Sequence, residues 1–233
     1  MNTQSSFVIV IAAFNAATTI ASVLRDLNNL YPDAPKIVVD DGSSDGTGEI
    51  AIAEGARLIT HPTNMGSGAA FKSGLRCSLG YAPDCVVTLG ADNQRDPVDI
   101  QRMITALEKD PQISCIIGSK YAMRNDVPFA RRCGGMALTF IFRILFPSCR
   151  HLTDVLSGFR AIRPEYVPLL LDCPDRYDFE AACCCLMASK GLRIGEIPVT
   201  VRYHSESTRM RWPLFEGVRI ALRMLSLRII KMI

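Results

Sequence analysis

At 233 residues the chain is long enough to bury one sizeable core, and no internal repeat or linker-like segment divides it. The 26 basic and 23 acidic side chains give a net charge of +3, too small to suggest a nucleic-acid partner. No run approaches the roughly 20 uninterrupted apolar residues of a membrane-spanning helix.

The predicted elements alternate. Phe7–Ala12 reads as a strand; it lacks the preceding Lys or Arg of a signal peptide. Ile20, Val23, Leu24, Leu27 and Leu30 then fall on one helical face. Strands follow at Lys36–Val39 and Arg57–Thr60, a helix at about Gly68–Leu79, and a strand at Cys85–Leu89. Asp96-Pro97 signals an N-cap and first helical position before the face Ile100, Met103, Ile104 and Leu107. Ser114–Gly118 is the next strand. This order predicts a single α/β domain with a Rossmann-like, mostly parallel central sheet flanked by helices. Past Tyr121 the pattern thins to a helix near Asp178–Lys190, a strand near Ile194–Val201 and a helix from Pro213.

The nine cysteines are odd in number and lack C-x-x-C spacing. Cys183, Cys184 and Cys185 are consecutive and so point around a helix, not at one metal. They are read as small core residues in a reduced, cytoplasmic setting. From Arg202 to Ile233 there are seven basic and two acidic residues, +5, which leaves −2 for the rest. A basic end on an acidic body suits an anionic partner such as phosphate groups or a membrane surface; a solvated helix face is the other reading. Residues 1–212 are therefore taken as the main domain and 213–233 as a C-terminal amphipathic helix. Leu214, Val218, Ala221, Leu222, Leu225, Ile229 and Met232 lie on its apolar side and Glu216, Arg219, Arg223 and Ser226 opposite. Met136–Phe146, apolar apart from Arg143, is a second candidate for peripheral membrane contact. Packing of both stretches on the core is the alternative.

Ile37–Thr47, I-V-V-D-D-G-S-S-D-G-T, is an apolar strand that runs into two aspartates and a glycine turn. Ligands of open α/β sheets bind beyond such strand ends. There Asp40 and Asp41 are placed to accept hydrogen bonds from a nucleoside, with Ser43, Ser44 and Asp45 free to cap the next helix. The string resembles the signature of family 2 glycosyltransferases, and further motifs follow in that family's order. Ile11–Ala16 resembles the end of its first strand, with Phe14 and Asn15 matching. Asn64-Met-Gly66-Ser-Gly68, before Ala70 and Gly74, matches its N-x-G-x-G-x-A-x-x-x-G element, whose glycines would let a helix N-terminus approach a diphosphate. The resemblance implies a GT-A fold and a donor site of Phe14, Asn15, Asp40, Asp41, Gly66, Gly68 and Ala91.

Gly90-Ala-Asp92-Asn-Gln94 sits where the family carries a D-x-D-x-Q metal motif. It implies Mg²⁺ or Mn²⁺ on Asp92 and Gln94, with Gly90 in place of the first aspartate. Asp154-Val-Leu-Ser-Gly158-Phe-Arg160, Gly118-Ser-Lys120-Tyr121, Glu196-Ile-Pro198-Val and Arg202-Tyr-His-Ser205-Glu206-Ser207 resemble elements of the dolichol-phosphate mannose synthase and polyprenyl-phosphate glycosyltransferase branch. That branch implies a GDP- or UDP-hexose donor and a lipid-phosphate acceptor. Asp92, Lys120 and Arg202 would be catalytic, and Arg131, Arg132, Asp154, Arg160, Ser207 and Arg209 would face the acceptor. Arg160 tying its turn to Asp154 is an equal reading. A phosphate acceptor is already anionic and needs no base. A hydroxyl acceptor would need one, from Asp178 or Glu180, although Asp178 equally suits a helix cap. A nucleotide-binding relative that lost turnover with the first aspartate is the non-enzymatic alternative.

Overall fold

The computed structural model describes residues 6–121, 129–201 and 213–230. In chain order these are β1 (Phe7–Ala13), α1 (Ile20–Leu30), β2 (Lys36–Asp40), α2 (Thr47–Ala53), β3 (Arg57–Thr60), α3 (Ser67–Ser78), β4 (Cys85–Gly90), α4 (Asp99–Lys109), β5 (Ile113–Ser119), α5 (Phe129–Leu145), β6 (Arg160–Ile162), α6 (Val167–Leu170), α7 (Phe179–Ser189), β7 (Arg193–Pro198) and α8 (Pro213–Ile230). They form one seven-stranded sheet in the order β3-β2-β1-β4-β6-β5-β7. Every pairing is parallel except those of β6, which runs antiparallel between β4 and β5.

The alternation of strand residues divides two cores across the sheet. Val8, Val10, Val39 and Val86 face α3 and α7 through Phe71, Leu75, Phe179 and Cys183. Ile9, Ile11, Val38 and Val87 face α1 and α4 through Leu24, Leu27, Ile100 and Met103. The central strands are buried on both sides, as parallel strands under helices must be. Cys183, Cys184 and Cys185 are all buried because α7 is enclosed by the sheet, α6 and α8. All nine cysteines are free.

Several expected boundaries shift. α4 begins at Asp99, not Pro97, and Asp96 instead caps the turn before it by accepting from the Val98 amide at 3.1 Å. β7 stops at Pro198, and Val201 meets Arg95 in an isolated bridge. Strand β6 and the 17-residue α5 have no counterpart in the sequence reading.

Candidate active site

The carboxyl ends of β1, β2, β4 and β5 open on one side of the sheet. Asn15, at φ +48°, clamps two of them together. Its amide donates to Ser43 Oγ at 2.8 Å, and its Oδ1 accepts from the Ser44 amide at 2.9 Å. Phe14 beside it is half-buried. Asp40 accepts from the Ser43 amide at 3.0 Å. Asp41 is spent on the protein itself. It is buried, lies 2.7 Å from His61 Nδ1, and accepts from the Met65 and Gly66 amides at 2.9 and 2.8 Å. Its role is to hold the loop before α3, not to meet a nucleoside.

That loop also corrects the diphosphate reading of Gly66 and Gly68. The Ala69 amide at the start of α3 donates to the Asp175 carbonyl at 2.9 Å. A Cβ on Gly68 would stand 2.5 Å from the Pro174 carbonyl oxygen and 2.7 Å from Phe179 Cβ. These glycines let α3 pack against the segment leading into α7, which covers the helix N-terminus.

β4 delivers Ala91, Asp92 and Gln94 to the mouth. Ala91 is buried and bonds β1 through the Ala12 carbonyl at 3.0 Å. Asp92 is exposed, and among the described residues its Oδ1 accepts a long bond from the Gln94 amide, 3.3 Å. A Cβ on Gly90 would have no neighbour nearer than Asp92 Oδ1 at 3.6 Å, so an open space faces the absent side chain. Among the described residues no group of three His, Cys, Asp or Glu side chains surrounds one point. One exposed carboxylate and one amide fit a divalent cation that shares a diphosphate's oxygens; they do not form a cage that would hold it alone.

On the β5 side, Lys120 Nζ lies 3.6 Å from Asp154 Oδ2 and 4.9 Å from the centre of the Tyr121 ring. Asp154 is fully buried, so it positions Lys120 and cannot itself touch an acceptor. It is oriented by Glu196, which accepts from the Thr153 and Asp154 amides at 2.8–2.9 Å. Burial pushes the Glu196 carboxyl up, and those donors oppose the rise. Glu196 was recognisable only as part of a strand motif.

Arg160 is not an acceptor residue. It is 2% exposed and donates to the carbonyls of Ser157 at 2.8 Å, Val155 at 3.2 Å and Glu180 at 2.7 Å. It therefore ties the turn before β6 to α7, and none of these bonds goes to Asp154. Asp178 is likewise no base: it is buried and paired with Arg219 and Arg223 of α8. Arg132 is exposed on the first turn of α5; Arg131 lies in that turn, its side chain outside what is described. Arg202, Ser207 and Arg209 lie outside the described residues.

A strand-end site of this layout agrees with the match of residues 8–168 to the family described as Glycosyl transferase family 2. The chain belongs to that family. It is a glycosyltransferase. Over 247 residues, 97% of each chain, it is 27% identical to a UDP-N-acetylglucosamine–dolichyl-phosphate N-acetylglucosaminyltransferase of Methanococcus voltae. It is 28% identical to an undecaprenyl-phosphate mannosyltransferase of Micrococcus luteus, over 82% of this chain and 81% of the relative. Glucosyl-3-phosphoglycerate synthase of Mycobacterium tuberculosis, solved with UDP, superposes with a TM-score of 0.76 at 24% identity, over 96% of this chain and 80% of that one. The same synthase with Mn²⁺ and UDP-glucose gives 0.75 over 96% and 79%. The glycosyltransferase fold is thus GT-A, as the motifs implied.

Proposed function

We propose that this glycosyltransferase moves a hexose from UDP or GDP to a polyprenyl phosphate at a membrane surface. The observation that carries the reading is an exposed apolar face shared by two packed helices. On α5, Met136, Phe140 and Ile144 are 50–62% exposed at a spacing of four residues. On α8, Phe215, Val218, Leu222, Leu225 and Ile229 are 40–69% exposed. Exposed apolar faces on two packed helices suit a lipid surface better than a water-soluble acceptor. Of the arginines on the two helices, Arg219 and Arg223 pair with Asp178 and Arg143 bonds the Leu152 carbonyl, while Arg132, exposed on α5, and Arg228, over the Phe146 ring, remain to meet anionic headgroups. No helix among the described residues is long and apolar enough to cross a membrane. The contact proposed is peripheral, at the cytoplasmic face.

At the site, an acceptor phosphate oxygen attacks the anomeric carbon from the side opposite the diphosphate. The carbon–oxygen bond to the nucleotide breaks and the configuration inverts. Lys120, held by Asp154, stabilises anionic oxygens, and Arg202 is assigned the same role from its motif position. Mg²⁺ or Mn²⁺ at Asp92 and Gln94 would neutralise charge on the leaving diphosphate. Asn15 and the turn at Asp40 hold the walls of the donor cleft beside Phe14. The occupation of Asp178 by two arginines removes one of the two candidate bases for a hydroxyl acceptor and leaves Glu180 as the other.

Labelled UDP- and GDP-hexoses incubated with polyprenyl phosphate in detergent test this. Label should pass into the organic phase with one nucleotide, and free nucleoside diphosphate should appear in equal amount. Label only in water-soluble products, or none from any donor, overturns the reading.

A further inference from the structure

Tyr121 follows Lys120 out of β5 and meets α5 end-on. Gly135 is buried on the inner side of that helix with Leu138, Thr139 and Phe142, while Met136, Phe140 and Ile144 are exposed on the outer side. A Cβ on Gly135 would stand 2.2 Å from the Tyr121 hydroxyl oxygen and 3.1 Å from its Cζ, far inside van der Waals contact. The hydroxyl end of the ring is therefore seated against the α5 backbone, in the notch that a missing side chain leaves. Gly134 beside it is exposed, and a Cβ there would meet nothing within 4 Å among the described residues. Glycine weakens a helix interior relative to alanine. The packing of Tyr121 is a specific reason to keep it at 135, and no such reason holds at 134.

The other side of the ring meets the cation. Lys120 Nζ lies over it, 4.9 Å from the centre, within the range at which an ammonium is drawn to an aromatic face. Asp154 Oδ2, 3.6 Å away, supplies the second attraction. The backbone beneath is pinned as well. The Tyr121 amide donates to Ser119 Oγ at 3.2 Å, and Ser119 Oγ lies 2.6 Å from Thr153 Oγ1. With the ring fixed at its backbone and at its hydroxyl end, the flexible lysine chain follows the ring.

We propose that Tyr121 is a positioning residue for Lys120. The notch at Gly135 sets where the ring lies, and the ring together with Asp154 holds the ammonium at the strand-end site, so the placement of α5 fixes the placement of the cation. The inference rests on the role given to Lys120 under the proposed function and adds Tyr121 and Gly135 to it. The helix that carries the exposed apolar residues Met136, Phe140 and Ile144 is then joined to the reacting groups through Tyr121.

The test compares two alanine substitutions in one helix. Steady-state rates are measured on the full chain with a labelled nucleotide hexose and a short-chain, water-soluble polyprenyl phosphate, with melting temperatures alongside. Gly134→Ala should keep the parental kcat. Gly135→Ala should lower kcat about tenfold or more and leave KM for the nucleotide sugar within about twofold, because a displaced Lys120 loses charge stabilisation in the transition state. Adding Tyr121→Phe removes the oxygen that the new methyl group would strike. The double variant should therefore recover the kcat of Tyr121→Phe alone, which a general loss of folding would not do. Tyr121→Leu, which does not depend on α5 tolerating a methyl group, should also lower kcat by taking away the aromatic face. Parental kcat in Gly135→Ala or in Tyr121→Leu overturns the inference, as does an equal loss in Gly134→Ala or no recovery in the double variant. Lys120→Met, run in parallel, separates the two levels. If it lowers kcat while Gly135→Ala does not, this inference alone fails; if it keeps the parental kcat, the role of Lys120 in the proposed function falls and the inference with it.

Discussion

Arg219 on α8 donates to Asp178 at the entrance to α7 across 3.1 Å, and Arg223 adds a second bond to the same carboxylate at 3.3 Å. The charged side of α8 therefore looks into the protein. Ile220 and Met224 are buried beside it, while the apolar side assigned to lipid is left exposed. α8 is thus fastened to the body by its polar face, the reverse of a helix whose apolar face covers a core.

Asp178→Asn should accordingly act on stability and not on chemistry. The substitution keeps the shape but removes the charge from a buried carboxylate whose partners are partly exposed. A loss of about 1–3 kcal/mol is expected in denaturant melts, with turnover at saturating substrates within a few-fold of the parent. A fall in turnover of about a hundredfold or more with unchanged stability would restore Asp178 as a base.

Arg160 and Lys120 were both read as cations for an acceptor, and the structure separates them. Arg160→Met should cost about 3 kcal/mol or more, because the carbonyls of Val155, Ser157 and Glu180 lose their donor inside the core. Lys120→Met should lower kcat and cost less stability, about 1–3 kcal/mol, because the buried Asp154 carboxylate loses its ion pair but keeps the Lys120 amide at 3.3 Å. Thermal melts and steady-state rates on the two variants give the comparison. Loss of rate in both without loss of stability would contradict the internal role of Arg160.

The sheet was legible up to Ser119 because β1, β2, β4 and β5 are buried apolar runs and α1 and α4 have clear apolar faces; β3 is a partly exposed edge strand. β6 was not. At three residues, R-A-I, it is too short for a periodic signal, and its antiparallel place between β4 and β5 depends on pairing alone. α7 was found, but the burial of Cys183–Cys185 all around it shows why a one-sided face misdescribes it. At the site, the aspartates and glycines of the motifs were correctly located at strand ends. Their direction was the part a sequence does not carry: Asp41, Gly66, Gly68 and Arg160 turn inward to build the walls. Glu180 had only a conditional place, because its closeness to Gly158 joins α7 to the turn before β6 and does not follow from spacing along the chain.

Stability of the cation-free protein should fall as pH rises from about 4.5 to about 7. An ordinary glutamate loses its proton near 4.5, whereas Glu180 in the folded chain keeps it to about 7. Burial is the main cause; Asp178 adds to the rise, and Arg160 and Lys120 oppose it. Below the lower value both states are protonated and the contribution is fully present. Between the two the folded state binds the extra proton, so each step up in pH favours unfolding, by about 1–3 kcal/mol in all. Melts at pH 5.5 and pH 8 in EDTA should show that decline in the parent and a smaller one in Glu180→Gln. Parallel declines in the two proteins would assign the effect to other groups.

The α5–α8 face gives the last expectation, and the structure dictates how to test it. Removing residues from Pro213 onward would also strip the cover from Asp178 and take Ile220 and Met224 out of the core, so lost binding would be ambiguous. Phe140 and Leu222 avoid this, being 62% and 61% exposed on neighbouring helices. Phe140→Asp with Leu222→Asp should change stability by no more than about 0.5 kcal/mol, as substitutions on a solvent-facing surface do. The same pair removes apolar area and places two negative charges against anionic headgroups. In cosedimentation with phosphatidylserine-containing vesicles the parent should pellet at low salt and partly dissociate as salt screens the arginines, while the double variant stays in the supernatant. Transfer to a short-chain, water-soluble polyprenyl phosphate should be equal for both, whereas transfer to long-chain acceptor in vesicles should fall in the variant alone. A parent that remains in the supernatant at low salt would remove the membrane from the proposed function.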